Sequence, residues 1–287
     1  MSEGVIHDIG YRHYDGARLG SAYGTRALFV FTLRGIFGLG RPARSKVMPF
    51  FLATVMLLPA VVSIVVMALM NETAMTYTSM PTIMQAVPAI FLASQAPTAV
   101  APDLRYKVLP LYLSRPVGVT QYVLAKYAAM VLALFLLMAV PLVLMFVGEL
   151  LVDMPDEPLR TQQFVAGLFT SLVLAVLLAG VGLLLASLTP RRGLGVASVI
   201  AVYMLCLAVS GALVGTFESV GRTTAAEWAW LINPFFLVDA VRVWLFGGEV
   251  ASGGAYPPGP GPALIVVALI ALVLGALFLR YRKAAAR

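Results

Sequence analysis

Long apolar runs separated by short polar punctuation set the pattern of this chain. They begin near Met48 and recur to Leu279. A helix needs about 20 apolar residues to cross the hydrocarbon core of a bilayer. On that measure the runs at 48–70, 82–101, 122–147, 162–188, 194–217 and 263–279 predict six transmembrane helices. The third and fourth are long enough to tilt or to project beyond the bilayer. Pro59, Pro88, Pro97 and Pro141 fall within runs, where a kink is tolerated if a neighbour satisfies the freed carbonyl. The expected fold is an all-α integral membrane protein, divided into a lead (1–47), a membrane domain (48–281) and a short tail (282–287).

The polar lead carries a shorter apolar stretch, "TRALFVFTLRGIFGLGRPARSK" at 25–46, with Gly35, Gly38, Gly40 and Pro42 to end it. Too short to span, it predicts an interfacial helix along one leaflet, with Phe29 on its apolar arc and Arg26 and Arg34 directed to headgroups or a protein partner. Because the first long apolar run follows this lead, no secretory leader is expected. His7 and His13 stand upstream without a cysteine or acidic cluster at ligand spacing, so no metal site is expected. Cys206 is a lone cysteine inside an apolar run and reads as a small buried hydrophobe.

Composition agrees: 61% of the 287 residues are hydrophobic and 11% charged, against about 25% charged in a soluble domain. The net charge of +7 does not point to nucleic acid, because the positives flank apolar runs instead of forming a soluble basic face. Their distribution orients the chain. Seventeen of the twenty Lys and Arg lie in the lead, the 2–3 connection, the 4–5 connection and the tail. The opposite loops hold only Arg160, Arg222 and Arg242, together with nine acids. The positive-inside rule then places both termini in the cytoplasm, and an even number of spans agrees.

No Asp, Glu, His or Arg is expected in the middle of a span, and Lys126 lies near a span end where it can snorkel. Ion-coupled carriage is therefore disfavoured. No G-x-x-x-x-G-K-[ST] occurs in the chain, so nucleotide hydrolysis by a P-loop is excluded and any driving ATP must be spent by another subunit. Gln85 and Gln95 are the most polar residues in the runs and are candidates for a substrate path. Gly211 and Gly215 form a small-x-x-x-small pair, suited either to internal packing or to a dimer face. Asp153, Asp156 and Glu157 read as a solvated acidic turn and not as a metal site.

The connection at 103–127, "DLRYKVLPLYLSRPVGVTQYVLAKY", is basic yet rich in Leu and Tyr. Pro102-Asp103 can end one span and cap a new short helix, and Arg115-Pro116-Val117-Gly118 forces a turn before the next. A helix with that much bulky apolar surface needs a groove to fill.

This connection, together with "SLTPRRG" at 187–193 and "NPFFLVDAVRVWLFGG" at 233–248, resembles the permease subunits of type-2 ATP-binding-cassette exporters. The likeness extends from about Thr25 onward. It implies that 26–37 is a connecting helix, that the segment 102–121 carries a coupling helix docking on separate ATP-binding-cassette ATPase subunits, and that 218–262 holds a re-entrant outer hairpin at 228–246. Asp103, Arg105, Tyr106, Leu109, Tyr112, Arg115 and Pro116 would form the coupling surface. Trp228, Trp230, Phe235, Phe236, Trp244 and Phe246 would present an aromatic surface at the outer leaflet. The implied assembly pairs two permease subunits, identical or homologous, in the plasma membrane. It has no cofactor in this chain, with ATP and magnesium on the ATPase, and exports a hydrophobic drug-like or lipid-like molecule. A membrane scaffold or sensor, or a lipid-modifying enzyme, is the alternative.

Overall fold

A computed structural model describes residues 16, 19–70, 72, 74–106, 108, 111–112, 117–152, 159–189 and 191–285. Among these residues the chain is helical: α1 (Ser21–Ile36), α2 (Arg44–Met70), α3 (Met80–Ile83), α4 (Ala86–Arg105), α5 (Val119–Leu151), α6 (Thr161–Leu188), α7 (Arg192–Ser219), α8 (Thr223–Trp230), α9 (Pro234–Phe246) and α10 (Gly261–Ala285).

Two mid-chain helices form the centre. α5 and α6 pack on each other, α1 and α2 lie against α5, and α9 and α10 lie against α6. In their most apolar stretches α5 and α6 are 50% and 56% buried, whereas α2, α7 and α10 are 28%, 17% and 22% buried. The outer helices turn Leu58, Val62, Leu205, Val267 and Leu272 outward, as lipid-facing helices do. Close approach is bought with glycine. A Cβ on Gly182 of α6 would meet Leu92 of α4 at 2.4 Å, and one on Gly148 of α5 would meet Ile64 of α2 at 2.4 Å.

By length and apolarity five helices can cross a membrane: α2, α5, α6, α7 and α10. The sixth candidate differs from the expected one. The helix over the predicted run 82–101 is α4, and it is not apolar enough to qualify. The bent pair α8 and α9, which meet at 109°, qualifies together as a broken span or re-entrant loop. The physical reason lies in packing. α4 touches α1, α2, α5, α6 and α7, and it buries Gln95 and two prolines, Pro88 and Pro97. A helix enclosed by other helices needs less apolar surface than one facing lipid.

Two further expectations change. α4 runs through Pro102 to Arg105, so Pro102-Asp103 does not cap a separate helix. Phe235 and Phe236 lie in the core instead of on an outer aromatic surface, with Phe236 edge-on to Trp230 at 4.8 Å; Trp228 and Trp244 remain exposed.

α1 packs through Leu28, Thr32 and Ile36, the i, i+4, i+8 stripe of a helix lying against a surface. Arg26 and Arg34 are exposed and Phe29 is half-buried. Gly38 (φ 68°) turns the chain into α2, and a Cβ there would lie 2.5 Å from the Ser45 carbonyl, so only glycine fits this corner.

Candidate functional site

The α4–α5 joint gathers the most chemistry. Tyr122 and Lys126 stand one turn apart on the same face of α5, opposite the last turns of α4. The Asp103 carboxylate accepts hydrogen bonds from the Tyr122 hydroxyl and the Lys126 ammonium, and Lys126 also donates to the Ala99 carbonyl. The ammonium sits 5.0 Å from the centre of the Tyr122 ring. Lys126 is 7% exposed, so it pairs inward instead of snorkelling to water. Burying an ammonium carries a penalty of several kcal/mol, and a carboxylate, a carbonyl and an aromatic face together offset it. The Tyr122 ring is itself held between Tyr112, 5.4 Å away, and Tyr281 of α10, 5.5 Å away.

This geometry divides the expected coupling residues. Asp103 and Tyr112 face inward as anchors. Arg105 and Tyr106 face outward, Tyr106 being 68% exposed, with the Arg105 guanidinium 5.6 Å above its ring. Leu111, beside Tyr112 in a helical turn, is also exposed. Leu109, Arg115 and Pro116 lie outside the described residues, as do His7, His13, Asp153, Asp156 and Glu157. The return of the connection is pinned on α1, where a Cβ on Gly24 would meet Val117 at 2.8 Å. Between the two lies a cavity of about 430 Å³ lined by Tyr23, Ala27, Leu28, Phe31, Tyr112 and Val117.

At the far end of the bundle, Glu149 in the last turn of α5 accepts from the backbone N–H of Arg160 at 3.0 Å, from its Nε at 3.2 Å, and from the Tyr77 hydroxyl. Burial, and then the bond to Glu149, pushes the Tyr77 phenol well above its ordinary range. In α9 the fully buried Arg242 donates from Nε and Nη2 to Asp239 at 2.9 and 2.5 Å, and to the carbonyls of Gly247 and Glu249 at 3.2 and 2.7 Å. Asp239 also accepts from the Ala251 N–H and the Tyr256 hydroxyl, each at 2.9 Å. Burial, followed by the charge of Asp239, raises the Tyr256 phenol. Asp239 and Arg242 are thus a buried pair inside a candidate span, where the sequence suggested loop charges.

Gln85 and Gln95 are not brought together. Gln85, at the start of α4, accepts from Asn233 at 2.9 Å, and Asn233 in turn caps α9 through the Phe235 N–H. Gln95 is buried and donates to Ser94 at 3.1 Å. Gly211 and Gly215 meet no group of the chain within 4 Å of a Cβ position, so α7 turns this pair away from its own described helices. From sequence, Lys126 is expected to snorkel, Glu149, Arg160, Asp239 and Arg242 count only as loop charges, and Tyr122 and Tyr281 have no role in a site. The signals were Tyr-x-x-x-Lys at 122–126 and Asp-x-x-Arg at 239–242, spacings that put both members on one helix face. Among the described residues no group of three or more His, Cys, Asp or Glu could hold a metal ion.

A search of curated proteins finds no match. Residues 57–280 match the sequence model described as ABC-2 family transporter protein, a stretch that runs from α2 through α10 and includes the α4–α5 joint. The chain belongs to the ABC-2 transporter family, as a multi-pass membrane domain of a transport system.

Proposed function

We propose that this chain is the permease subunit of an ATP-driven exporter. It pairs with a second permease, identical or homologous, and docks through residues 103–116 on separate ATPase subunits that bind ATP and magnesium. Both termini lie in the cytoplasm and the assembly sits in the plasma membrane. The cargo is a hydrophobic small molecule, drug-like or lipid-like, in keeping with a bundle whose interior is largely apolar.

One observation carries the reading. The exposed end of α4, with Arg105 and Tyr106, is continuous with a turn clamped to α5 by Asp103, Lys126 and Tyr122. A load on that end is delivered to two long helices at once, and coupling requires such differential contacts between two states. α1, packed on α5 and α4, braces the same joint.

The test is affinity purification of the tagged chain from native membranes in mild detergent, with Arg105→Glu and Tyr106→Ala introduced together. A P-loop ATPase should accompany the wild-type chain in stoichiometric amount and be lost from the double variant. Recovery of the wild-type chain alone, or an ATPase indifferent to both changes, would sink the docking assignment.

A further inference from the structure

Arg41, Arg105 and Arg192 come from three separate places, the α1–α2 turn, the last turn of α4 and the first turn of α7, yet they line one cavity of about 220 Å³ together with Thr98 and Tyr106. No acid lines it. The ion pairs among the described residues join Lys126 to Asp103, Arg160 to Glu149 and Arg242 to Asp239, which leaves all three guanidiniums without a carboxylate. Asp103, next but one to Arg105, is taken up by Lys126 and Tyr122. α7 adds to the imbalance, for its first turn has neither an acid nor a side-chain cap. The free N–H groups and the positive end of the helix dipole therefore accompany Arg192.

We infer that this cavity binds the phosphodiester headgroup of an anionic phospholipid. Three convergent cations repel one another unless an anion lies between them, and guanidinium forks match phosphate oxygens in pairs. The shape selects a lipid over a soluble anion. The cavity descends from Arg105 to Pro97, eight residues along α4 and about 12 Å at a helical rise, and it passes from charged groups to Ala101 and Pro97. At that floor α7 approaches closely, since a Cβ on Gly195 would lie 3.0 Å from Pro97. α7 exposes Leu194 beside that floor and Met204 and Leu205 beyond it, an apolar track for acyl chains. The cavity shares Arg105 and Tyr106 with the proposed docking surface, but its lipid is read on the purified chain without an ATPase, so the two readings fail separately.

The test uses the purified full-length chain in mild detergent, titrated with phosphatidylglycerol or phosphatidylcholine, with retained lipid counted by native mass spectrometry. Phosphatidylglycerol should be held at about tenfold lower concentration than phosphatidylcholine. Arg41→Lys, Arg105→Lys and Arg192→Lys keep the charge that orients the chain but remove the fork. Combined, they should weaken phosphatidylglycerol retention about tenfold, whereas Arg222→Gln at the opposite end should leave it unchanged. A wild-type chain without preference, or a triple variant that retains phosphatidylglycerol as tightly as the wild type does, overturns the site. Displacement of phosphatidylglycerol by an equal concentration of inorganic phosphate overturns the lipid assignment and leaves a soluble-anion pocket.

Discussion

At one end of the bundle Lys126 reaches from α5 across to Asp103 on α4; at the other, Arg242 reaches no farther than Asp239 one turn earlier and two carbonyls just past its own helix. Both are buried charge pairs with hydrogen bonds to spare. The first joins two long helices whose partners are 23 residues apart in sequence, so relative motion of α4 and α5 must break it or carry it along. The second closes a helix onto its following loop, with Ala251 and Tyr256 completing the ring, and so makes α9 and that loop one stiff piece. A polar network's reach along the chain therefore decides whether it transmits movement or resists it.

The most damaging way to break this comparison is Arg242→Ala. It strands a fully buried Asp239, and loss of one partner of such a pair costs about 3–5 kcal/mol; a large fall in thermal stability and yield in detergent is expected. Lys126→Met should cost less, about 2–3 kcal/mol, the scale of a hydrogen bond to a charged group, because Asp103 is partly exposed and keeps Tyr122. It should nevertheless reduce transport more than a stability-matched core substitution, and equal losses would refute a transmitting role. Gly182→Val tests the packing around the joint. Forcing a side chain against Leu92 should destabilise by about 1–3 kcal/mol, whereas Gly211→Val, facing no group of the chain, should stay within about 0.5 kcal/mol. If Gly211→Val instead disrupts a purified dimer, the bare face of α7 belongs to a second copy. Smallest in stability is Tyr106→Ala, within about 0.5 kcal/mol for an exposed side chain, with its effect confined to ATPase recovery.

The helical class and five of the six expected spans were legible because each depends on local apolarity alone. The helix over 82–101 and the bent pair before α10 were harder, since the first is sheltered by neighbours and the second is split by the Asn233-Pro234 cap. Charge was the least legible. Asp103 read as a cap because Pro102 precedes it, but the helix accommodates that proline and the carboxylate is claimed by residues in another helix. Asp239 and Arg242 looked like loop charges because neither lies in a run of 20 apolar residues, although their spacing already allowed a pair. Phe235 and Phe236 read as a surface beside Trp228 and Trp244, and only packing against Tyr203 and Trp230 sorts inner rings from outer ones.

The enclosure of α4 bears on how the chain enters the membrane. Helices are made in order, and α4 leaves the ribosome before α5, α6 and α7, which wrap it. A nascent chain stopped after Arg105 offers the bilayer a segment whose own apolarity does not hold it there, while α5 and α6 insert on their own terms. The position of α4 is then settled late, by later-made neighbours, and the Asp103–Lys126 contact can form only once that settlement is complete.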